Sequence, residues 1–252
     1  MYLLGHMALG YLFAWVVARG RRQTLVVWVA LTAAVLPDFD LLFGGFGLAH
    51  ETYTHSLVVW APMVLLLVTW RSGSLPYVAA LLQHIVVGDF LIGSIPLLLP
   101  LSGAGFGLGL GMPSMPDALI EFSSLLIMVV VMVRSGDLRR LMSGSREGAL
   151  MVVPLVSMVG LTWFAENGWA PSVAEGVVRL FSYGFSTDAL IIVSVGQILI
   201  EGLMVAAVLM AALALLRTRA NGIEVQSLSI FRVALVNKLS LSLSCLDSSL
   251  SV

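Results

Sequence analysis

The side chains able to do chemistry are few and lie in the first third of the chain. The sequence of 252 residues contains only four histidines, which are His6, His50, His55 and His84. Four acidic side chains accompany them along this stretch, namely Asp38, Asp40, Glu51 and Asp89. Imidazole and carboxylate groups together suit Zn²⁺, Mn²⁺ or Fe²⁺. The residue types therefore predict a divalent-metal site, with zinc as the first expectation and manganese or iron as alternatives.

A metal of this kind would supply hydrolytic chemistry. A catalytic zinc takes three protein ligands and keeps one position for water, and the metal lowers the pKa of that water to about 7. The predicted metal ligands are His6, Asp38, His50, His55, His84 and Asp89. Asp40 or Glu51 is predicted to act as general base or to orient the water. Each feature alone also has a structural explanation, such as a hydrogen bond between helices or a solvated helix end.

The composition indicates where these residues must be held. Hydrophobic residues make up 59% of the chain and charged residues 11%, whereas soluble domains have about 45–50% and about 25%. A compact soluble fold of this composition would lack the polar residues to cover its surface, so the chain is predicted to face lipid. Charged groups inside a bilayer are costly and normally mark a functional site. The fold predicted is an all-α, polytopic transmembrane bundle in the inner membrane. The net charge of −1 gives no indication of a nucleic-acid partner.

Hydrophobic stretches near the roughly 20 residues needed to cross a bilayer predict about seven spans. They are 2–18, 25–43, 56–70, 77–101, 117–133, 149–164 and 189–216. In this arrangement every lysine and arginine except Arg179 lies in loops on the same side of the membrane. The positive-inside rule then places the N-terminus outside and the C-terminus in the cytoplasm, and it places all the candidate site residues toward the outer face.

Three parts of the chain are distinguished. Residues 1–102 form a half of four spans that carries the predicted metal site, and residues 103–216 form a half of three spans. Residues 217–252 are predicted to be a disordered cytoplasmic tail. The Gly-rich stretch from Gly103 to Gly111 is predicted to be either an outer re-entrant loop or a plain linker.

Several short motifs occur in a fixed order along residues 1–102. They are Gly5-His6, Leu36-Pro37-Asp38-Phe39-Asp40, His50, Thr54-His55-Ser56, His84 with the following aspartate, and Ile95-Pro96-Leu97-Leu98-Leu99-Pro100. This set resembles the YdjM-type family of membrane-bound metal-dependent hydrolases. The resemblance implies His6, Asp38, His55 and His84 as ligands, and a phosphoester or lipid-like substrate resident in the membrane.

The spacing after His84 differs from the pattern of that family. The family has His-x-x-x-Asp, which places both side chains on one helical face. Gly88 stands at that position here, and Asp89 follows five residues after His84. A π-bulge or a helix break near Gly88 would bring Asp89 back toward His84, and π-bulges are frequent at functional sites.

The function predicted is therefore that of a metal-dependent hydrolase at the extracytoplasmic side of the membrane. One alternative is a transporter or ion-conducting protein in which His84, Asp89 and Glu201 act as relay groups. A second alternative is a membrane protein without catalytic activity that keeps a structural metal. Clustering of the candidates in the first four predicted spans favours the hydrolase over the transporter.

Overall fold

The computed structural model describes residues 3–46, 50–111, 114–143, 145–156 and 202–217. The α-helices described include α1 (Leu3–Gly20), α2 (Val27–Ala34), α3 (Leu57–Trp70), α4 (Leu75–Gln83), α5 (Phe90–Ile92), α6 (Met115–Ser135), α7 (Asp137–Met142) and α8 (Gly202–Arg217). A π-helical segment at His84–Asp89 joins α4 to α5. Extended residues pair within this part of the chain only at an isolated bridge between Ile95 and Phe106, so this part is all-helical, as predicted.

Three helical segments are long and apolar enough to cross a membrane. They are Leu3–Gly20, Ser72–Ile92 and Pro116–Ser135, and two shorter apolar helices are Leu57–Trp70 and Gly202–Arg217. The predicted number of seven spans is not supported, since the described residues provide three. The sidedness of the two termini stays a prediction.

The predicted second span, 25–43, differs most from the structure. Its α-helix, α2, has only eight residues and is therefore about 12 Å long, against a hydrocarbon core of about 30 Å. Pro37 explains the early end, because the residue before a proline disfavours the helical conformation. The chain continues as a 3-10 helix, Pro37–Phe46, whose first turn contains Asp38 and Asp40.

The remaining predicted spans correspond to the structure to different degrees. Helices α3 and α6 match the third and fifth closely. The fourth predicted span begins earlier, at Ser72, and ends at Ile92 rather than at residue 101. The sixth and seventh extend into residues outside the described part. Glu201 and residues 218–252 also lie outside it.

Helix α1 lies at the centre and packs against α2, α4 and α6. Its buried face includes Met7, Tyr11 and Ala14. Gly10 permits the close approach of the helices, because a Cβ there would overlap the Cβ of Ala34 and lie 3.1 Å from Nε2 of Gln83. The same Gln83 amide donates to the carbonyl oxygen of His6 at 3.0 Å, which ties α4 to the first turn of α1.

The predicted Gly-rich loop caps the end of α5. The backbone N–H groups of Leu108, Leu110 and Gly111 donate to the carbonyl oxygens of Phe90, Leu91 and Ile92 at 2.7, 3.1 and 2.9 Å. The last carbonyls of a helix have no partner within the helix, so this extended segment satisfies them. It thereby fixes α5, which directly follows the π-helical segment that carries His84 and Asp89.

Candidate metal centre

Four separate pieces of chain bring the predicted site residues together. His6 lies in the first turns of α1, and Asp38 and Asp40 begin the 3-10 helix that follows α2. His55 ends a short 3-10 turn, Tyr53–His55, directly before α3. The predicted π-helical turn is present, and His84 and Asp89 are its first and last residues.

The π-helical turn decides the position of Asp89. Residues five apart in a regular α-helix point about 140° away from each other, whereas a π-helix repeats its backbone hydrogen bonds at i→i+5. Nε2 of His84 and Oδ2 of Asp89 are accordingly only 3.2 Å apart. Gly88 within this turn leaves room for His6, since a Cβ there would lie 2.5 Å from Cε1 of the His6 ring.

Four donor atoms, which we call the donor quartet, meet at the centre of the site. They are Oδ1 of Asp38, Nε2 of His55, Nε2 of His84 and Oδ2 of Asp89. Five of the six separations between these atoms are 3.2, 3.2, 3.2, 3.3 and 3.4 Å. Donors around one tetrahedral ion with bonds of about 2.0–2.1 Å would be about 3.3–3.4 Å apart. The quartet therefore has the spacing of ligands that share a single small cation.

In their neutral forms, the two central histidines carry the proton on Nδ1 and leave Nε2 unprotonated. Nδ1 of His84 is 2.7 Å from the carbonyl oxygen of Ala34, and because a carbonyl only accepts, Nδ1 carries the hydrogen. The Thr54 hydroxyl donates to the Asp40 carboxylate and accepts from Nδ1 of His55 at 3.0 Å. Two lone pairs thus face each other across 3.2 Å. A cation, either a metal ion or an extra proton, is needed between them.

The charge of the quartet indicates a divalent ion. Asp89 is buried, and its Oδ2 atom has no hydrogen-bond partner among the described residues. Two carboxylates beside two neutral imidazoles leave a charge of −2 in a site where unpaired charge is costly. One divalent cation would neutralise it, and the oxygen and nitrogen donors are of the type that first-row metals bind.

His6 flanks the quartet on one side. Its Nε2 is 3.2 Å from Oδ1 of Asp89, and its ring stacks on that of His84 with centroids 3.7 Å apart. His6, His84 and Asp89 form one group able to hold a metal, with ligand atoms within 4.8 Å of one another. His6 is therefore placed either to bind the ion or to hold Asp89 through a hydrogen bond.

His50 flanks the quartet on the other side, where the site opens to solvent. The His50 side chain is 35% exposed and that of Asp38 is 15% exposed, whereas the two central histidines are fully buried. Asp38, His50 and His55 form a second group able to hold a metal. Nδ1 of His50 also lies 2.8 Å from Oδ1 of Asp40. Burial lowers the pKa of His50, but this hydrogen bond and nearby carboxylate charge outweigh it and raise the pKa to about 9.

The two residues predicted as general base occupy different environments. Asp40 is buried and accepts hydrogen bonds from His50 and Thr54. Its contacts make it a positioning residue, because it acts on the quartet through its neighbours. Glu51 is exposed, with a left-handed backbone (φ 59°), and its charge acts on His50.

Sequence reasoning did not assign roles to three groups of the site. The carbonyl of Ala34 and the hydroxyl of Thr54 fix the histidine tautomers, and Ser56 joins the start of α3 to the carbonyls of Leu97 and Leu99. The position of Thr54 and Ser56 on either side of His55 was the available signal. A backbone carbonyl such as that of Ala34 has no sequence signal.

The fold and the cluster together define a class of protein. It is an all-helical protein with helices able to span a membrane and a buried His/Asp cluster able to hold a metal ion. No protein-family model matches the chain, and neither a curated protein nor a solved structure does. The resemblance to the YdjM-type family stays a prediction that rests on the motifs quoted above.

Proposed function

We propose that this protein is an integral membrane hydrolase that depends on a divalent metal held by the donor quartet. One observation carries the proposal. The Nε2 atoms of His55 and His84 face each other at 3.2 Å beside the carboxylates of Asp38 and Asp89. Such an arrangement is stable only around a cation, and the donor set is that of metallohydrolases.

The chemistry follows from the ion and from the residues around it. A bound divalent metal would acidify water and polarise the oxygen of a scissile ester. Asp40 and Thr54 hold His55 in its ligand tautomer, as partners behind a metal ligand commonly do. Glu51, exposed at the open side of the site beside His50, is the residue available to accept a proton from water.

A phosphoester or lipid-like molecule in the membrane is the substrate class we propose. His6 lies in the first turns of one candidate span, and Asp89 lies in the last turn of another. The site is therefore close to the end of the membrane-crossing segments, where the polar part of a lipid-like substrate would be. The resemblance to the YdjM-type family supports the same class, as well as an extracytoplasmic position.

Turnover of a chromogenic phosphodiester tests this function. Detergent-solubilised protein loaded with Zn²⁺ or Mn²⁺ is expected to hydrolyse bis(p-nitrophenyl) phosphate, and His84→Asn is expected to lower the rate by about 100-fold or more. Thr69→Val is the matched control, because its hydroxyl bonds only to carbonyls of α3 at the surface. Equal rates for the metal-loaded wild type and His84→Asn would overturn the proposal.

A structural metal is the second candidate, and the quartet itself favours it. Four protein donors close the coordination shell of a tetrahedral ion, whereas a catalytic zinc keeps one position open. A six-coordinate ion such as Mn²⁺ would still have room for water. Stoichiometric metal without turnover, with unfolding on chelation, is the outcome that would select the structural role. Glu201, on which the transporter alternative depends, lies outside the described residues.

A further inference from the structure

A second polar site lies at the opposite end of α1 from the metal centre. A cavity of about 500 Å³ opens where the C-terminal ends of α1 and α6 meet α7. Its lining includes Arg19, Arg22, Arg140, Ser135 and Asp137. Arg19 is 13 residues beyond His6 on the same helix, and therefore about 20 Å from it along the axis.

The charge of this cavity is strongly positive. Its three arginines outnumber its one carboxylate, Asp137, which leaves a formal charge of +2. Arg19 and Arg22 are exposed, and neither forms a salt bridge with a carboxylate of the described segments. Two guanidinium groups are thus available for an anion. Guanidinium matches phosphate oxygens well, because its planar fork donates two parallel hydrogen bonds.

Asp137 forms no salt bridge with Arg19 or Arg22, because its carboxylate is turned to other partners. Its Oδ1 accepts from Nη1 of Arg140 at 2.9 Å. Its Oδ2 accepts from the hydroxyls of Tyr11 and Ser135, each at 2.9 Å. This buried network fixes the cavity floor and holds Arg140, whose side chain remains 58% exposed, at the cavity wall.

The backbone at Arg22 provides an independent observation. Helix α1 ends in a Schellman motif, in which the N–H of Gln23 bonds the carbonyl of Ala18 and the N–H of Arg22 bonds that of Arg19. The residue at the position of Arg22 is left-handed, with φ 54°, and glycine is the usual occupant because it has no Cβ. An arginine in a strained conformation at the cavity points to a functional use of its side chain.

We propose that this cavity binds a phosphate-bearing anion through Arg19 and Arg22, with Arg140 completing the wall. Both α1 and α6 are candidate spans, and both end at the cavity, so it lies at the level of lipid headgroups. Trp15, which is half-buried in the lining, is typical of that interface. The phosphate of an anionic lipid and a free phosphate share the required chemistry, and the proposal does not rest on the metal site.

Native mass spectrometry of the full chain, released from nanodiscs, measures the binding. One arm uses phosphatidylcholine discs with one-tenth phosphatidic acid, and the other uses phosphatidylcholine discs with inorganic phosphate. We expect Arg19→Gln with Arg22→Gln to weaken retention of the anion by about tenfold for each arginine. Loss in the first arm only identifies a lipid headgroup as the source, loss in the second arm only identifies free phosphate, and loss in both shows that the cavity accepts either.

The matched control removes the same charge beside the cavity. Arg21→Gln with Arg139→Gln alters two exposed arginines that do not line it, and this variant is expected to retain the anion. A further variant, Arg22→Gly, separates binding from folding. It removes one guanidinium but relieves the left-handed strain, so we expect weaker retention together with an unchanged or higher Tm. Absence of retention by the wild type in both arms, or equal losses in the cavity and control variants, would overturn the proposal.

Discussion

Nε2 of His84 and Oδ2 of Asp89 lie 3.2 Å apart although five positions separate the two residues. The π-helical turn between them makes this approach possible, because a regular α-helix would direct the two side chains to different faces. The same turn places Gly88 against the ring of His6. A single local deviation of the backbone therefore positions three of the candidate ligands.

Substitution of Gly88 should disturb this arrangement. In Gly88→Ala the new Cβ would lie 2.5 Å from Cε1 and 2.6 Å from Nδ1 of His6, and the buried ring has little freedom to move. We expect a loss of about 1–3 kcal/mol in the free energy of unfolding, together with weaker metal retention. Denaturant titration in detergent and metal analysis measure the two effects. Gly73→Ala is the control, since no atom lies within 4 Å of a Cβ there, and a similar loss in both variants would argue against the specific contact.

Removal of the Thr54 hydroxyl should weaken metal binding without removing a ligand. Thr54 joins Nδ1 of His55 to Asp40, and loss of such a partner behind a ligand lowers metal affinity by about 10–100-fold. Competition with a fluorescent chelator measures the change in Thr54→Val. Thr69→Val, whose hydroxyl bonds only within α3, should bind as the wild type does. Unchanged affinity in Thr54→Val would contradict the role given to this hydroxyl.

Chelation should destabilise the protein, because it leaves two carboxylates and two imidazole lone pairs together in a buried site. A ligand at 100 times its Kd stabilises the folded state by about 2.7 kcal/mol. We therefore expect EDTA to lower the Tm of the purified protein and added Zn²⁺ or Mn²⁺ to restore it. The Asp89→Asn, His84→Asn double variant should show no such response to EDTA. A Tm that is equally sensitive to EDTA in both proteins would place the effect elsewhere.

Ser56 should contribute to stability through its position at the start of α3. Its hydroxyl accepts from the N–H of Val58 and contacts the carbonyls of Leu97 and Leu99. Loss of a helix cap costs about 1 kcal/mol, so Ser56→Ala is expected to lower the free energy of unfolding by at least that amount. Ser72→Ala, at an exposed position, is the comparison, and equal stability of the two variants would be inconsistent with this role.

The apolar helices and the convergence of the histidines and aspartates could be predicted from the sequence for physical reasons. So apolar a chain has few positions where histidine and aspartate are tolerated, and their grouping toward one end of the predicted spans indicated convergence. Convergence of Asp89 with His84 needed a π-bulge or a helix break near Gly88, and the structure contains a π-helical turn. The side of the membrane on which the site lies is still a prediction.

Other features depend on interactions that a hydrophobic pattern does not reveal. The apolar stretch 25–43 suggested one long helix, but Pro37 ends α2 early and a 3-10 helix carries Asp38 and Asp40. The tautomer of His84 is fixed by a backbone carbonyl of another helix. The arginine-lined cavity forms only when the ends of α1, α6 and α7 meet. Each of these results from tertiary contacts between residues distant in sequence.

The ratio of metal to protein tests the central claim most directly. The wild type is purified in detergent without chelators and exchanged into metal-free buffer. Inductively coupled plasma mass spectrometry should then give about one divalent ion for each chain, as the single donor quartet requires. His55→Asn and His84→Asn should each reduce this ratio to near zero, whereas Thr69→Val should leave it unchanged. A wild-type protein that folds and yet keeps no stoichiometric metal after incubation with Zn²⁺, Mn²⁺ or Fe²⁺ would contradict the account and would leave a shared proton between the two imidazoles.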